Sequence, residues 1–261
     1  MNHLGIEVAV KNRPVLDPMF IPVGLFHKAF LQTAKMPVSV AVEREEGQFA
    51  TVHTFIHGTA DMKQADIYYI DRLVKSILWM KGGFRIYVTD EIIYEYLNRT
   101  YAAGGSRQFD AAFMAKVYEQ PFEVLLCNEV PEERNAPKAI GRHLGGCRIG
   151  FDAGGSDRKV SAVVDGKSVY SEEVVWFPKV NADPDYHYQG ILEAMKTAAS
   201  HMPRVDAIGV SSAGVYIDNR IMVASLFLKV EDQEIFDKKV KNMYLDVAKE
   251  IGENIPIQVA N

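Results

Sequence analysis

Cysteine is scarce: Cys127 and Cys147 are the only two in 261 residues. Two thiols cannot staple a chain of this length, so stability has to come from a buried core, and both read as reduced and structural. Nothing cationic is placed predictably beside either one, so a low-pKa nucleophile is not expected. Long apolar runs are missing too. No window approaches about 18 uncharged apolar residues, and the opening MNHLGIEVAVKN lacks a basic region followed by an apolar stretch. The expectation is a cytoplasmic protein with neither membrane span nor signal peptide. There is no excess of basic charge: the net charge is -5, with 16 basic and 17 acidic residues in 1–146 and 13 and 17 in 147–261. Nothing here attracts a polyanion, which excludes nucleic acid as an expected partner. Short-period repeats and low-complexity tracts are absent, which sets aside solenoids and disordered tails.

What is present is ample hydrophobic content, 48%, for one large domain or two ordinary ones. Residues 37–57 alternate as two β-rich runs joined through Glu46 and Gly47, which predicts a hairpin. Ile67, Ile70, Leu73, Val74, Ile77 and Leu78 recur at helical spacing, and Gly82 and Gly83 stop the helix after Lys81. A strand at 84–89, an Asp90-capped helix to about Tyr101, a short helix around Phe109, Phe113 and Val117, and a strand at 121–127 complete an α+β segment. Between Asn128 and Gly146 the period is lost, and the domain boundary is expected there, giving domains 1–146 and 147–261. Beyond it come strands at 147–152, 159–164 and 167–176, with an Asp165-Gly166 hairpin signal between the last two. A helix at 185–202, a strand in VDAIGVSS, a helix at about 233–252 and a final strand in IPIQVAN follow. The second domain is thus expected to be α/β with the order βββαβαβ, preceded by a separate α+β domain.

The candidate chemistry lies in DAGGSD, residues 152–157. Glycines after a strand-end aspartate let backbone amides approach phosphate oxygens, and the Asp152 carboxylate can hold Mg²⁺ directly or through water. A plain glycine hairpin with Asp152 and Asp157 in solvent explains those six residues as well. Other clusters point to structure. His53 and His57 share a strand, where four residues span about 13 Å, too far for one ion. Asp218 in YIDNR could act as a base, but Asp-Asn after a strand is more often a turn. The tyrosines 68, 69, 94, 96 and 101 could form a stacking platform, but packing in the helices and sheet is the expected role.

Three stretches taken in order resemble the N-terminal half of the ROK sugar kinases and regulators, of the actin-like ATPase and sugar kinase superfamily. IGFDAGGSDRKVSAVVDG resembles the family's first phosphate motif, AIGVSSAGVYIDNRI its substrate loop, and NIPIQVAN its strand into Asn-Asp. The resemblance covers about 147–261 and implies a ribonuclease H-like lobe, ATP and Mg²⁺ as cofactors, and a sugar as substrate. It implies that Asp152 stands at the metal, that Gly154, Gly155 and Ser156 line the phosphate hairpin, and that Ala213, Gly214 and Asn261 border the sugar. Ser156 replaces the usual threonine, and Ala213 replaces a proline, which leaves the substrate loop less constrained.

In the family the aspartate after the asparagine is the general base, so the catalytic Asp is expected to follow Asn261. The sequence given is therefore expected to be a poor kinase alone, since a placed base contributes about 10² to 10⁴ in rate. The family's second-lobe glycine motif, Glu-x-Gly-His segment and cysteine-rich zinc loop are not in this sequence, and zinc is not implied. The expected function is the N-terminal part of an ATP-dependent carbohydrate kinase, with a non-catalytic sugar- and nucleotide-binding regulatory module as the alternative. The partners expected are a sugar and a nucleotide, with neither nucleic acid nor membrane, and a homo-oligomer is compatible with the sequence. A winged-helix repressor is not expected, because residues 1–146 carry no basic recognition helix.

Overall fold

The computed structural model describes residues 1–137 and 141–261. Backbone contacts divide the chain into two compact units, Met1–Pro137 and Lys138–Asn261. The division falls ahead of the expected edge at 146/147. Residues on either side are tied to their own unit: Arg134 bridges Phe49, and Gly146 exchanges hydrogen bonds with Asp165 at 2.8 and 2.9 Å. Part of the expected boundary segment, residues 138–140, lies outside the described residues.

The first unit opens with the short antiparallel pair β1 (Asn2–His3) and β2 (Ile6–Glu7), then α1 (Val23–Phe30), none of which the sequence pattern announces. There follow β3 (Met36–Glu43), β4 (Phe49–Ile56), α2 (Lys63–Lys81), β5 (Arg85–Val88), α3 (Glu91–Tyr101), α4 (Gln108–Tyr118) and β6 (Glu123–Leu126). Glu46 and Gly47 both take positive φ, 55° and 64°, in the connection of the β3–β4 hairpin, as the sequence predicts for that turn. Asp90 caps α3 by accepting from the Ile93 amide at 2.9 Å. The strands run in the order β4-β3-β5-β6, with β5 and β6 parallel and the other pairs antiparallel. Val38, Val40 and Val42 of β3 are buried, as are Ile70, Val74, Ile77 and Leu78 of α2. Tyr69 and Tyr101 belong to that core, and Tyr68, Tyr94 and Tyr96 pack against it, so the tyrosine stripe is packing.

The second unit holds β7 (Cys147–Ala153), β8 (Asp157–Val164), β9 (Lys167–Val175), α5 (Pro184–Ser200) and β10 (Ala207–Ser212). It continues with β11 (Gly214–Ile217), β12 (Arg220–Ala224), α6 (Gln233–Ile235), α7 (Met243–Ile251) and β13 (Ile257–Ala260). Its five-stranded sheet has the order β13-β10-β7-β8-β9. The first three strands in sequence form an antiparallel meander, and β10 lies parallel to both β7 and β13. Asp165 and Gly166 turn between β8 and β9 with φ of 48° and 80°, the left-handed pair that a two-residue hairpin requires.

Alternation sorts this sheet into two faces. Ile149, Phe151, Val160, Ala162, Ile208 and Val210 join Ile191 and Met195 of α5 and Tyr244 and Val247 of α7 in one buried core. The other face carries Gly150, Asp152, Ser161, Gly209 and Ser211, and is the floor of an open hollow of about 1100 Å³.

Two expectations are corrected here. The stretch after β10 is a second antiparallel hairpin, β11–β12, so the order βββαβαβ gains two strands. Asp218 and Asn219 occupy its tip at φ 52° and 63°, the turn geometry that short polar side chains tolerate. The predicted helix at 233–252 is broken. The three-residue α6 runs into a π-helical turn, Phe236–Val240, before α7 begins. Across the break Lys241 donates to the Phe236 carbonyl, five residues back, while its own carbonyl accepts from Ile221 of β12 at 2.8 Å. Tertiary pairing with the hairpin overrides the helical period.

Candidate functional site

In an open sheet with parallel strands, the carboxyl ends of those strands form the natural binding rim. Here β7, β10 and β13 end together. Asp152 is the register partner of Ser211, Ala153 of Ser212, and Ser211 of Ala260. The residues singled out in the sequence lie at these ends.

The turn after β7 is built by Gly154, Gly155 and Ser156. A Cβ on Gly154 would stand 2.4 Å from the Asp157 carbonyl oxygen, so this position must be glycine for the turn to close. Trp176 holds the turn from behind: its indole N–H donates to the Gly154 carbonyl at 2.8 Å and its backbone N–H to the Ser156 carbonyl at 3.1 Å. The carbonyls thus point inward to Trp176. The amides of Gly154, Gly155 and Ser156 donate no hydrogen bond among the described residues. Amides without an internal partner at a strand end are what an anion requires. The turn sits on an open rim; it lines neither the hollow over the sheet nor the smaller one beside Trp176 and Tyr186.

Asp152 is exposed, directly across the ladder from Lys159. The Lys159 ammonium is already engaged with Asp157 at 3.1 Å and Glu173 at 3.9 Å. That pairing and a hydrogen bond from Ser156 hold the Asp157 carboxyl below its usual range. The Ser156 hydroxyl donates to Asp157 at 3.1 Å, so in this conformation it is not offered to a phosphate. Asp152 is exposed and its carboxylate makes no hydrogen bond or ion pair among the described residues, though it feels the Lys159 charge across the ladder, so its oxygens can take a cation. Magnesium commonly binds through one or two carboxylates, water and substrate phosphates, so a lone aspartate beside free amides fits the ion. No group of three or more His, Cys, Asp or Glu side chains placed to hold a metal occurs among the described residues. His53 meets Ser39 at 2.8 Å, and His57 meets Asp66 at 2.9 Å, each with its own partner. Cys147 is buried, and burial pushes the Cys127 thiol up, away from nucleophilic character.

Two of the predicted sugar-side residues touch. The Asn261 amide donates to the Gly214 carbonyl at 2.9 Å. Gly214 must be small, because a Cβ there would lie 2.6 Å from the Val223 carbonyl across the β11–β12 hairpin. Ala213 is exposed at the bend between β10 and β11. Asn219 braces this corner by accepting from the Val259 amide at 2.8 Å and donating to the Ile257 carbonyl at 3.1 Å. Asp218 stays at the hairpin tip, which is the turn role.

Sequence reasoning missed the groups that support the rim. Trp176, one of two tryptophans in the chain, could have been flagged by its rarity at a strand end. Ser212, Tyr216 and Tyr244 come from separate elements, and no local pattern joins them. Both phenols donate to the Ser212 hydroxyl, at 2.6 and 3.1 Å. Burial pushes the Tyr244 phenol far above its ordinary range and also raises Tyr216. Burial likewise raises Tyr118 to about 12.

These shifts set an alkaline limit. A phenol that stays protonated in the folded chain above its unfolded value of 10.0 contributes stability below pH 10 and loses it as pH rises towards the folded value. We expect unfolding free energy to fall steadily above pH 10, with part of the phenolate absorbance appearing only when the chain unfolds. All twelve tyrosines ionising reversibly near pH 10 in the folded chain would contradict this.

No protein-family model matches the chain, and no curated protein matches it. Among solved structures it is similar to a PPX-GPPA enzyme of Aquifex aeolicus, with 14% identity over 68% of this chain and 64% of that one, at a TM-score of 0.19. It is similar to an exopolyphosphatase of Cytophaga hutchinsonii, with 11% identity over 69% and 64% and a TM-score of 0.22. A foamy viral protease-reverse transcriptase shares 8% identity over 87% of this chain and 36% of its own, at a TM-score of 0.25. The chain spans less than two thirds of the bacterial structures it matches. Overlaps this small leave the assignment to the chain's own topology and residues. No helix among the described residues is long and apolar enough to cross a membrane.

Proposed function

We propose that residues 147–261 are the N-terminal lobe of a phosphoryl-transfer protein on the ribonuclease H-like, actin-like ATPase fold, and in finer terms of a ROK-type carbohydrate kinase. The observation that supports this best is the sheet order β9-β8-β7-β10-β13, with a glycine turn of free amides at the same strand ends where Asn261 meets Gly214. In this reading the turn amides bind the phosphates of ATP, and Asp152 holds Mg²⁺. The ion, when bound, neutralises charge on the transferring phosphoryl group. Asn261 orients the sugar hydroxyl, Gly214 lets the backbone approach the ring, and Ala213 shapes the loop beside it. The partners proposed are a small sugar and a nucleotide.

The second reading, a binding module without turnover, has two observations in its favour. The Ser156 hydroxyl is engaged with Asp157, and Ala213 stands where the related loops have proline.

The two readings separate in one experiment on the full chain. Calorimetric titration with a non-hydrolysable Mg·ATP analogue, with and without a hexose panel, is followed by a phosphoryl-transfer assay with Mg·ATP. Nucleotide binding that weakens by at least about tenfold in Asp152→Ala is expected, since hydrogen bonds and ion contacts of this kind contribute about 1.5 to 3 kcal/mol. Transfer favours the kinase; since the general base is expected to follow Asn261, binding without transfer favours the module only when a chain extended past Asn261 gives the same result. Nucleotide affinity unchanged by Asp152→Ala would remove Asp152 from the site.

A further inference from the structure

The turn at 154–156 has a cation beside it that no motif contains. Lys179 lies in a short 3-10 turn, Pro178–Val180, directly after β9. A Cβ on Gly155 would fall 2.4 Å from the Lys179 Cε and 2.5 Å from its Nζ. The lysine stem therefore crosses the space that a side chain at 155 would fill. The ammonium is carried to the turn itself.

The placement is built rather than incidental. Trp176 fixes one end of the segment to the glycine turn through its two hydrogen bonds. Phe177 donates its amide to the Tyr186 hydroxyl at 3.0 Å. The buried Pro178 carbonyl faces Nε2 of His187 at 3.0 Å, and His187 is itself fully enclosed in α5. Lys179 extends from a segment anchored on both sides.

The local charges are sorted as well. Asp157 is held by Lys159, and Ser156 donates to Asp157. Lys179 has no carboxylate within ion-pair distance among the described residues. The corner thus carries three amides without a hydrogen bond, an ammonium without an ion pair, and the exposed carboxylate of Asp152, which feels Lys159 across the ladder but makes no ion pair with it among the described residues. An ammonium in that setting can bond an anion's oxygens at several angles, as lysines do at other phosphate sites.

We infer that Lys179 is an anion-binding residue of the glycine turn, and that the group bound there is a phosphoanhydride chain. The inference rests on reading the turn as a phosphate site. The amides take the terminal phosphate from one side, Lys179 supplies a positive charge from the other, and Asp152 recruits the metal. Gly155 has a second duty: its missing side chain is what lets Lys179 lie across the turn.

The test uses the full chain and two probes, Mg·ATP and inorganic tripolyphosphate. Lys179→Met is expected to weaken both by about tenfold, the lower end of what a hydrogen bond to a charged group contributes. Lys179→Arg should retain most of the affinity, and the Lys179→Met loss should shrink at high salt because the charge pairing is screened. Lys179 is exposed, so both variants are expected to fold. Equal binding of the two probes identifies the phosphate chain itself as the ligand, and binding of Mg·ATP alone identifies a nucleotide. If wild type binds and Lys179→Met binds as tightly, the role of Lys179 is overturned while the glycine turn stands. If wild type binds neither probe, the phosphate site fails and this inference fails with it.

Discussion

Replacing Asp71 by alanine is expected to lower the stability of the chain by about 3 to 5 kcal/mol, the cost of leaving a buried charge without its partner. Asp71 in α2 takes both Nε and Nη2 of Arg107, at 2.8 and 2.5 Å, with side-chain exposures of only 6% and 11%. Asp110 adds a longer contact to Arg107 at 3.5 Å and cannot replace the bidentate fork. The Tyr96 hydroxyl also reaches Asp71, so one carboxylate joins α2, α3 and the start of α4. Urea unfolding should show the midpoint falling with little change of slope. The double variant Asp71→Leu with Arg107→Met should recover much of the loss, because a well-packed apolar pair often matches a buried ion pair. A single-mutant loss below about 1 kcal/mol would mean that the pair is effectively solvated.

That network also marks where sequence reading stops. Strands and helices whose period is set locally were legible: the β3–β4 hairpin, α2 with its glycine stop, the Asp90 cap and the β7-β8-β9 meander follow from alternation, turn residues and capping. The features that escaped depend on partners distant in sequence. The 233–252 helix keeps its apolar spacing in sequence, yet it breaks where Lys241 pairs with β12. The β11–β12 hairpin was visible only as a polar tip, because four- and five-residue strands carry too little alternation to stand out from a loop. At the candidate site the glycines, Asp152, Gly214 and Asn261 could be read from motif order. Trp176 offered only its rarity, and Lys179 and the two tyrosines on Ser212 offered no signal, because what places them is contact between elements distant in sequence: the segment after β9 with α5, and β10 with β11 and α7.

The sharpest contrast is expected between two adjacent glycines. Gly154→Ala should cost about 1 to 3 kcal/mol, because the new methyl meets a backbone carbonyl that can yield only by opening the hairpin. Opening it also turns the Gly154 carbonyl away from Trp176, so the amides lose their fixed placement and tripolyphosphate binding should fall by well over tenfold. Gly155→Ala meets only the flexible end of Lys179, and its melting should stay within about 0.5 kcal/mol of wild type. Its binding should nonetheless fall as far as that of Lys179→Met, since the methyl displaces the ammonium. Adding Lys179→Met to Gly155→Ala should then cost almost nothing more, the signature of two changes acting on one interaction. Thermal melts and titrations of the four variants decide it. If Gly155→Ala melts as low as Gly154→Ala, or if the double variant is fully additive, the lysine does not lie across the turn in solution.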